Sequence, residues 1–341
     1  MWSNKEQSLA DWRQLALQFE SEIQRAVIGM DSSIRLITIA TFSRGHLMLE
    51  GDVGVGKTTL LRAVARALGG AYERIEGTID LMPGDLVYHT YINDQGRPQV
   101  DPGPLLKHGE VLSTFFFNEV NRARPQVHAL LLRVMAERSV TAFNREYQFP
   151  YLQVFADRNR VEREETFEIP SAAKDRFLME LRIEMPSDPG LQNELMFNPR
   201  FHDVDRLIEG VSPGVLPFRD IAPFAALVQS EVQASQALQN YALDLWAATR
   251  NPHAFGIEID GVDMRQMVLA GASPRGVSMM MRAARVHAWL EGRGHMIPED
   301  IQGVFRETIA HRIFLTPVYE LRRETLIPAL MEGILRHVAA P

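Results

Sequence analysis

A lysine and two threonines close the glycine-rich run Glu50-Gly51-Asp52-Val53-Gly54-Val55-Gly56-Lys57-Thr58-Thr59, and this spacing is that of a loop that wraps phosphate. Glycines let successive backbone N–H groups turn inward on an anion, and a helix beginning at the lysine adds the positive end of its dipole. Lys57 is placed to reach the β- and γ-phosphates of a nucleoside triphosphate, and the Thr58 hydroxyl to ligate Mg²⁺. Downstream, the apolar run Val111–Phe117 ends in Asn118-Glu119. A phosphate-loop enzyme carries its metal-supporting acid and its water-orienting base at the end of such a strand. Glu119 fits the base, while Asn118 puts an amide in the metal-supporting place. A third apolar run, Leu152–Ala156, ends in Asp157-Arg158-Asn159. Asn159, at the carboxyl end of a parallel strand, is placed to meet the γ-phosphate or the attacking water. In Asp175-Arg176-Phe177 the arginine is either a surface ion-pair partner or a charge offered to a neighbour's nucleotide.

These groups need strands to carry them and helices to seat them. Leu47-Met48-Leu49 has the length of a buried strand, and Leu60, Leu61, Val64 and Leu68 follow the loop at helical spacing until Gly69-Gly70. Leu9 to Ala26 reads as an amphipathic helix broken at Val27-Ile28-Gly29, after which Asp31 or Ser32 caps a second helix. The Val27-Ile28-Gly29 turn suits an adenine wall and suits plain core packing equally, so Ile28 is a candidate nucleotide contact. Residues 77–104 are rich in turns around Val87–Tyr91, which predicts an inserted hairpin, and Ser139 to Tyr151 predicts a second one. Past Ser212-Pro213-Gly214 the strand-like runs vanish. Phe224 to Thr249 reads as one helix, Ser273-Pro274 and Pro298-Glu299-Asp300 open two more, and a last helix carries Leu326, Leu330 and Ile334 with Pro328 in its first turn.

Composition narrows the classes. At 341 residues, 46% hydrophobic and 23% charged, the chain is an ordinary globular sequence with room for two domains. Its 36 basic and 43 acidic residues, net −7, provide no overall basic field for nucleic acid or an anionic membrane. With no cysteine, disulfides and thiolate chemistry are excluded, which suits a cytoplasmic protein. The N-terminus does not resemble a secretory signal, and no apolar stretch approaches the ~20 residues of a membrane helix.

Assembled, the chain resembles the MoxR family of AAA+ ATPases. The resemblance rests on Gly45-His46-Leu47-Met48-Leu49-Glu50 before the loop, Asp80-Leu81-Met82-Pro83-Gly84-Asp85, Glu119-Val120-Asn121-Arg122-Ala123, Leu130-Leu131-Leu132, Met135-Ala136-Glu137-Arg138 and Asp175-Arg176-Phe177. Farther on it rests on Ala248-Thr249-Arg250 and Gly271-Ala272-Ser273-Pro274-Arg275. It implies an α/β fold, a parallel-sheet core over residues 1–205 and an all-α lid over 206–341. Residues 77–104 then look like the helix-2 insert and 139–151 like the pre-sensor hairpin.

By the same resemblance the loop Gly51–Thr59 holds ATP, Thr58 and Asn118 serve Mg²⁺, Glu119 polarises water and Asn159 is the first sensor. Arg176 is the arginine finger of an adjacent subunit, with Arg122, Arg158 and Arg160 as rivals, and Arg275 is the second sensor. A hexameric ring is implied, with a partner carrying a von Willebrand factor A (VWA) domain and a client enzyme to mature or activate. The sequence departs from the family pattern at two places. Asn118 replaces an aspartate, which predicts weaker Mg²⁺ dependence and slower hydrolysis, and Asp157-Arg158-Asn159-Arg160 replaces Thr-Gln-Asn-Pro. The first departure keeps a rival open, a slow or inactive ATP-binding scaffold ring.

Overall fold

The structure, a computed structural model, describes residues 2–159 and 167–341; Arg160 lies outside the described residues. In chain order the first part runs α1 (Trp2–Gln24), α2 (Asp31–Phe42), β1 (His46–Gly51), α3 (Lys57–Leu68), β2 (Ala71–Glu76), α4 (Pro83–Val87), β3 (Tyr88–Ile92) and β4 (Pro98–Pro102). It continues with β5 (Leu112–Asn118), α5 (Pro125–Glu137), β6 (Ser139–Ala142), β7 (Arg145–Gln148), β8 (Gln153–Asn159), α6 (Ser171–Lys174), β9 (Phe177–Arg182), α7 (Pro189–Phe197) and α8 (Val204–Glu209). By their contacts the residues fall into two compact units, one of Gln14–Phe177 with Leu181–Ala222, the other of Met1–Arg13, Leu178–Glu180 and Pro223–Pro341.

Five strands form a sheet in the order β2-β5-β8-β1-β9, with β2–β5, β5–β8 and β1–β8 paired in parallel. Every residue of β1 and of β5 is buried, which is why Leu47-Met48-Leu49 and Phe115-Phe116-Phe117 run apolar without alternating: both faces of these strands are covered. Phe115, Phe117, Val127, Leu131, Val134 and Val154 share one cluster that presses α5 onto β5 and β8. The register sets Phe117 beside Ala156 and Gly51 beside Asn159, so the polar residues that end β5, β8 and β1 gather at one edge. β3 and β4 make an exposed hairpin, and β6 and β7 a second one.

The other unit is mostly helical, with α9 (Ile221–Glu231), α10 (Gln236–Arg250), α11 (Met264–Met267), α12 (Pro274–Leu290), α13 (Pro298–Ile309), α14 (Pro317–Glu320) and α15 (Arg323–His337). A short pair, β10 (Val268–Ala270) and β11 (Phe314–Leu315), joins them. Ser273 caps α12 by accepting from Gly276 N–H at 3.1 Å. Asp300, fully buried at the start of α13, accepts from His287 Nδ1 at 2.7 Å, from both Arg293 Nη atoms at 2.5 and 2.6 Å, and from Ile297 N–H at 2.8 Å. Burial raises its carboxyl, but the His287, Arg293 and Ile297 donors overcome that and hold it at about 2.

Three local expectations are corrected. The single helix expected over Phe224–Thr249 is two, α9 and α10. The backbone of Gln233 leaves the helix to bond Gly294 O and Met296 N–H, and Ser235 caps α10. Asp31 is the first residue of α2 rather than its cap, which is Met30 without a side-chain bond. Pro328 lies inside α15, because that helix begins upstream of the apolar repeat, at Arg323.

Candidate active site

β1 delivers the chain to the glycine loop, which turns through left-handed backbone at Gly54 (φ 81°) and Gly56 (φ 91°) before α3 begins at Lys57. A Cβ at Gly54 would meet nothing within 4 Å, so its glycine answers to conformation rather than to space. α3 has no side-chain cap, and its first N–H groups are left for a ligand. Asp52, Val53 and Gly54 are exposed, and Val55, Gly56, Thr58 and Thr59 half-buried. Ile28 is also half-buried. Its neighbour Met30 sets its Cε 3.2 Å from where a Gly56 Cβ would stand, which places the Val27-Ile28-Gly29 turn against the loop.

Lys57 is buried, 7% exposed, and its ammonium has several oxygens around it. It donates to Gly51 O at 2.7 Å and Asn159 Oδ1 at 2.7 Å, reaches Asp52 O at 3.3 Å and stands 3.5 Å from Asp157 Oδ2. The other end of the Asn159 amide donates to Glu119 Oε1 at 3.0 Å. Glu119 Oε2 in turn accepts from Arg122 Nη1 at 2.9 Å. Loop lysine, strand-end asparagine and glutamate are thus one hydrogen-bonded chain built from the ends of β1, β8 and β5. It can hold a triphosphate at one end and orient water at the other.

Glu119 itself sits in left-handed backbone, φ 52° and ψ 49°. That bend turns it off the end of β5, and two contacts stabilise it. Glu119 N–H donates to Asp157 Oδ1 at 2.6 Å, and Gly77 packs so close that an added Cβ would stand 2.1 Å from Glu119 O. Gly77 and Asp157 were not singled out as site residues by the sequence. Asp157 has a visible signal, since it precedes Asn159 by two on one strand and shares its face. Burial pushes the Asp157 carboxyl above the usual range, with the Glu119 N–H and Lys57 pulling it back.

Asn118 turns toward β2, where its Nδ2 donates to Glu76 Oε1. Arg158 pairs with Glu50 at 3.0 Å, and Arg176 donates to Ala172 O at 3.0 Å while its Nε lies buried with no hydrogen-bond partner among the described residues. Arg275 is exposed in the first turn of α12, in the helical unit. For Mg²⁺, the half-buried Thr58 hydroxyl makes no hydrogen bond among the described residues, and the nearby donors are carboxylate and amide oxygens, the hard ligands that ion takes. No group of three or more His, Asp or Glu able to hold a metal stands among the described residues. A Mg²⁺ here would draw its remaining ligands from water and phosphate, as that ion does in nucleotide sites.

Residues 46–179 match the model of the ATPase family associated with various cellular activities (AAA), and 263–330 that of the AAA lid domain. The chain is 62% identical to Protein MoxR of Methylorubrum extorquens, over 98% of this chain and 97% of that one. It is 32% identical to the chaperone MoxR1 of Mycobacterium tuberculosis, over 94% and 81%. A crystal structure of a Cytophaga hutchinsonii protein superposes with a TM-score of 0.84 at 28% identity, covering 100% of this chain and 99% of that one. No helix among the described residues is long and apolar enough to cross a membrane.

Proposed function

The chain belongs to the MoxR family of AAA+ ATPases, and from that premise we propose that it binds ATP with Mg²⁺ and hydrolyses it in a ring, probing or remodelling a client protein at each turn. The observation that carries this reading is the continuous contact from Lys57 through Asn159 to Glu119. It couples the phosphate-binding cation to the group that orients water, so arrival of a γ-phosphate on Lys57 is felt at Glu119. Arg275 acts as second sensor, residues 1–205 and 206–341 as core and lid, and the subunits close as a hexamer. The client is reached through a partner with a VWA domain and is matured or activated there. The chaperone name of the mycobacterial relative supports a task on other proteins.

Loss of Lys57 and of Glu119 separates the steps. Lys57→Ala is expected to abolish nucleotide binding, turnover and client activation together. Glu119→Gln is expected to keep ATP bound, lower turnover by about 10²-fold or more, and hold the ring on its client. Phosphate release and co-purification of client read both. The reading fails if Lys57→Ala leaves turnover and activation untouched. A second reading, a scaffold ring that binds ATP without working on it, draws on Asn118, which brings no negative charge to the end of β5. A scaffold tolerates Glu119→Gln in partner assays, where a motor stops.

A further inference from the structure

Phosphate-loop NTPases hold their metal between the loop hydroxyl and an aspartate at the end of a second strand of the sheet, which here is β5, separated from β1 by β8. β5 ends in Asn118, and its amide is committed to Glu76 on the far side from the loop. One strand over, the register that pairs Phe117 with Ala156 sets Asp157 directly beside Asn118. Asp157 is 1% exposed, and both its oxygens face the site, Oδ2 toward Lys57 at 3.5 Å and Oδ1 on the Glu119 N–H at 2.6 Å. Glu76 is the acid that Asn118 bonds, but its side chain is 51% exposed and its Oε2 is paired with Arg74 at 2.9 Å. Exposure and that pairing dilute whatever charge it offers the site. The buried carboxylate beside the phosphate-binding lysine is therefore on β8, where the family pattern has threonine.

We propose that Asp157 carries, from β8, the negative charge that Asn118 does not supply on β5, and that it is the residue through which this chain supports the Mg²⁺ of a bound nucleotide. The site then keeps its charge balance with the acid moved sideways by one strand. Rigid backbone makes the exchange feasible, because adjacent parallel strands lie only ~4.8 Å apart and both ends open on the same edge. This rests on the ATP·Mg²⁺ reading above, and it removes the ground on which the scaffold reading stands.

The test reads nucleotide affinity in place of turnover. Fluorescent N-methylanthraniloyl-ADP is titrated into the purified full chain with Mg²⁺ and with EDTA, and the ratio of the two Kd values reports the metal. Asp157→Asn keeps shape and an oxygen for the Glu119 N–H while removing the charge. The wild-type ratio is expected at about tenfold or more, falling to about twofold or less in Asp157→Asn. Moving the acid back in Asn118→Asp/Asp157→Asn is expected to restore it, a rescue that a merely structural role for Asp157 does not give. Glu76→Gln is expected to keep the wild-type ratio. The inference is overturned if Asp157→Asn binds nucleotide with the full Mg²⁺ effect, or if Glu76→Gln is the variant that loses it. Should Asp157→Asn fail to fold, the double variant alone decides, since a folded double variant without the Mg²⁺ effect also overturns it. A wild-type protein that binds no nucleotide, or binds it equally with and without Mg²⁺, overturns the ATP·Mg²⁺ reading itself.

Discussion

Asn159 uses both ends of one amide, the oxygen on Lys57 and the nitrogen on Glu119. Asn and Gln offer a neutral acceptor and donor in one planar amide, and the shorter of the two holds both partners with one fewer rotatable bond. An aspartate would put a third carboxylate beside Asp157 and Glu119, and an alanine would leave a buried ammonium short of an oxygen. For Asn159→Ala, turnover is expected to fall by about 10²-fold while nucleotide affinity changes by less than about tenfold, because Lys57 keeps the Gly51 carbonyl. Steady-state phosphate release beside a nucleotide titration checks it; equal losses in both would place Asn159 in ground-state binding instead. Arg122 is held by Glu119 of its own chain, and Arg176 keeps a buried Nε with no hydrogen-bond partner among the described residues.

At the scale of elements, what was legible in the sequence was what is local. The strand, glycine loop and helix announce themselves through apolar length and spacing within a few residues. Glu119 and Asn159 were legible as strand ends for the same reason. Asp157 shows in the sequence only as sharing a strand face with Asn159; its role depends on which strand lies beside it and in what register. Gly77 was hidden, since the crowding that demands glycine comes from Glu119, just past the end of β5 and far away in sequence. The break between α9 and α10 escaped the sequence because a pairing made by Gln233 with Gly294 and Met296 overrides a continuous helical pattern. The start of α13 carries a consequence in acid. Asp300 is held at about 2 against an ordinary 3.8, so its contribution to folding is complete above pH ~5 and is lost progressively as pH falls past 3.8 and through the folded value of about 2. The loss amounts to about 2 kcal/mol at most. Urea unfolding midpoints between pH 5 and pH 2.5 are expected to fall more steeply for the wild type than for Asp300→Asn. Parallel slopes would show that the carboxylate gains nothing from His287 and Arg293.

At the scale of the whole molecule, the proposed ring would make the catalytic unit an interface rather than a chain. Arg176→Ala and Lys57→Ala subunits are each expected to be inactive alone. If the arginine acts across the interface, mixing them in equal amounts restores about a quarter of the wild-type turnover, because about one interface in four then pairs an intact loop with an intact arginine. No recovery on mixing would return the arginine to its own subunit. The lysine that opens the site has a bearing on such a cycle. With Gly51 O, Asn159 Oδ1 and Asp157 around it, the Lys57 ammonium is surrounded by oxygens of its own chain. A phosphate that reaches this lysine would exchange partners with it, not supply its first ones.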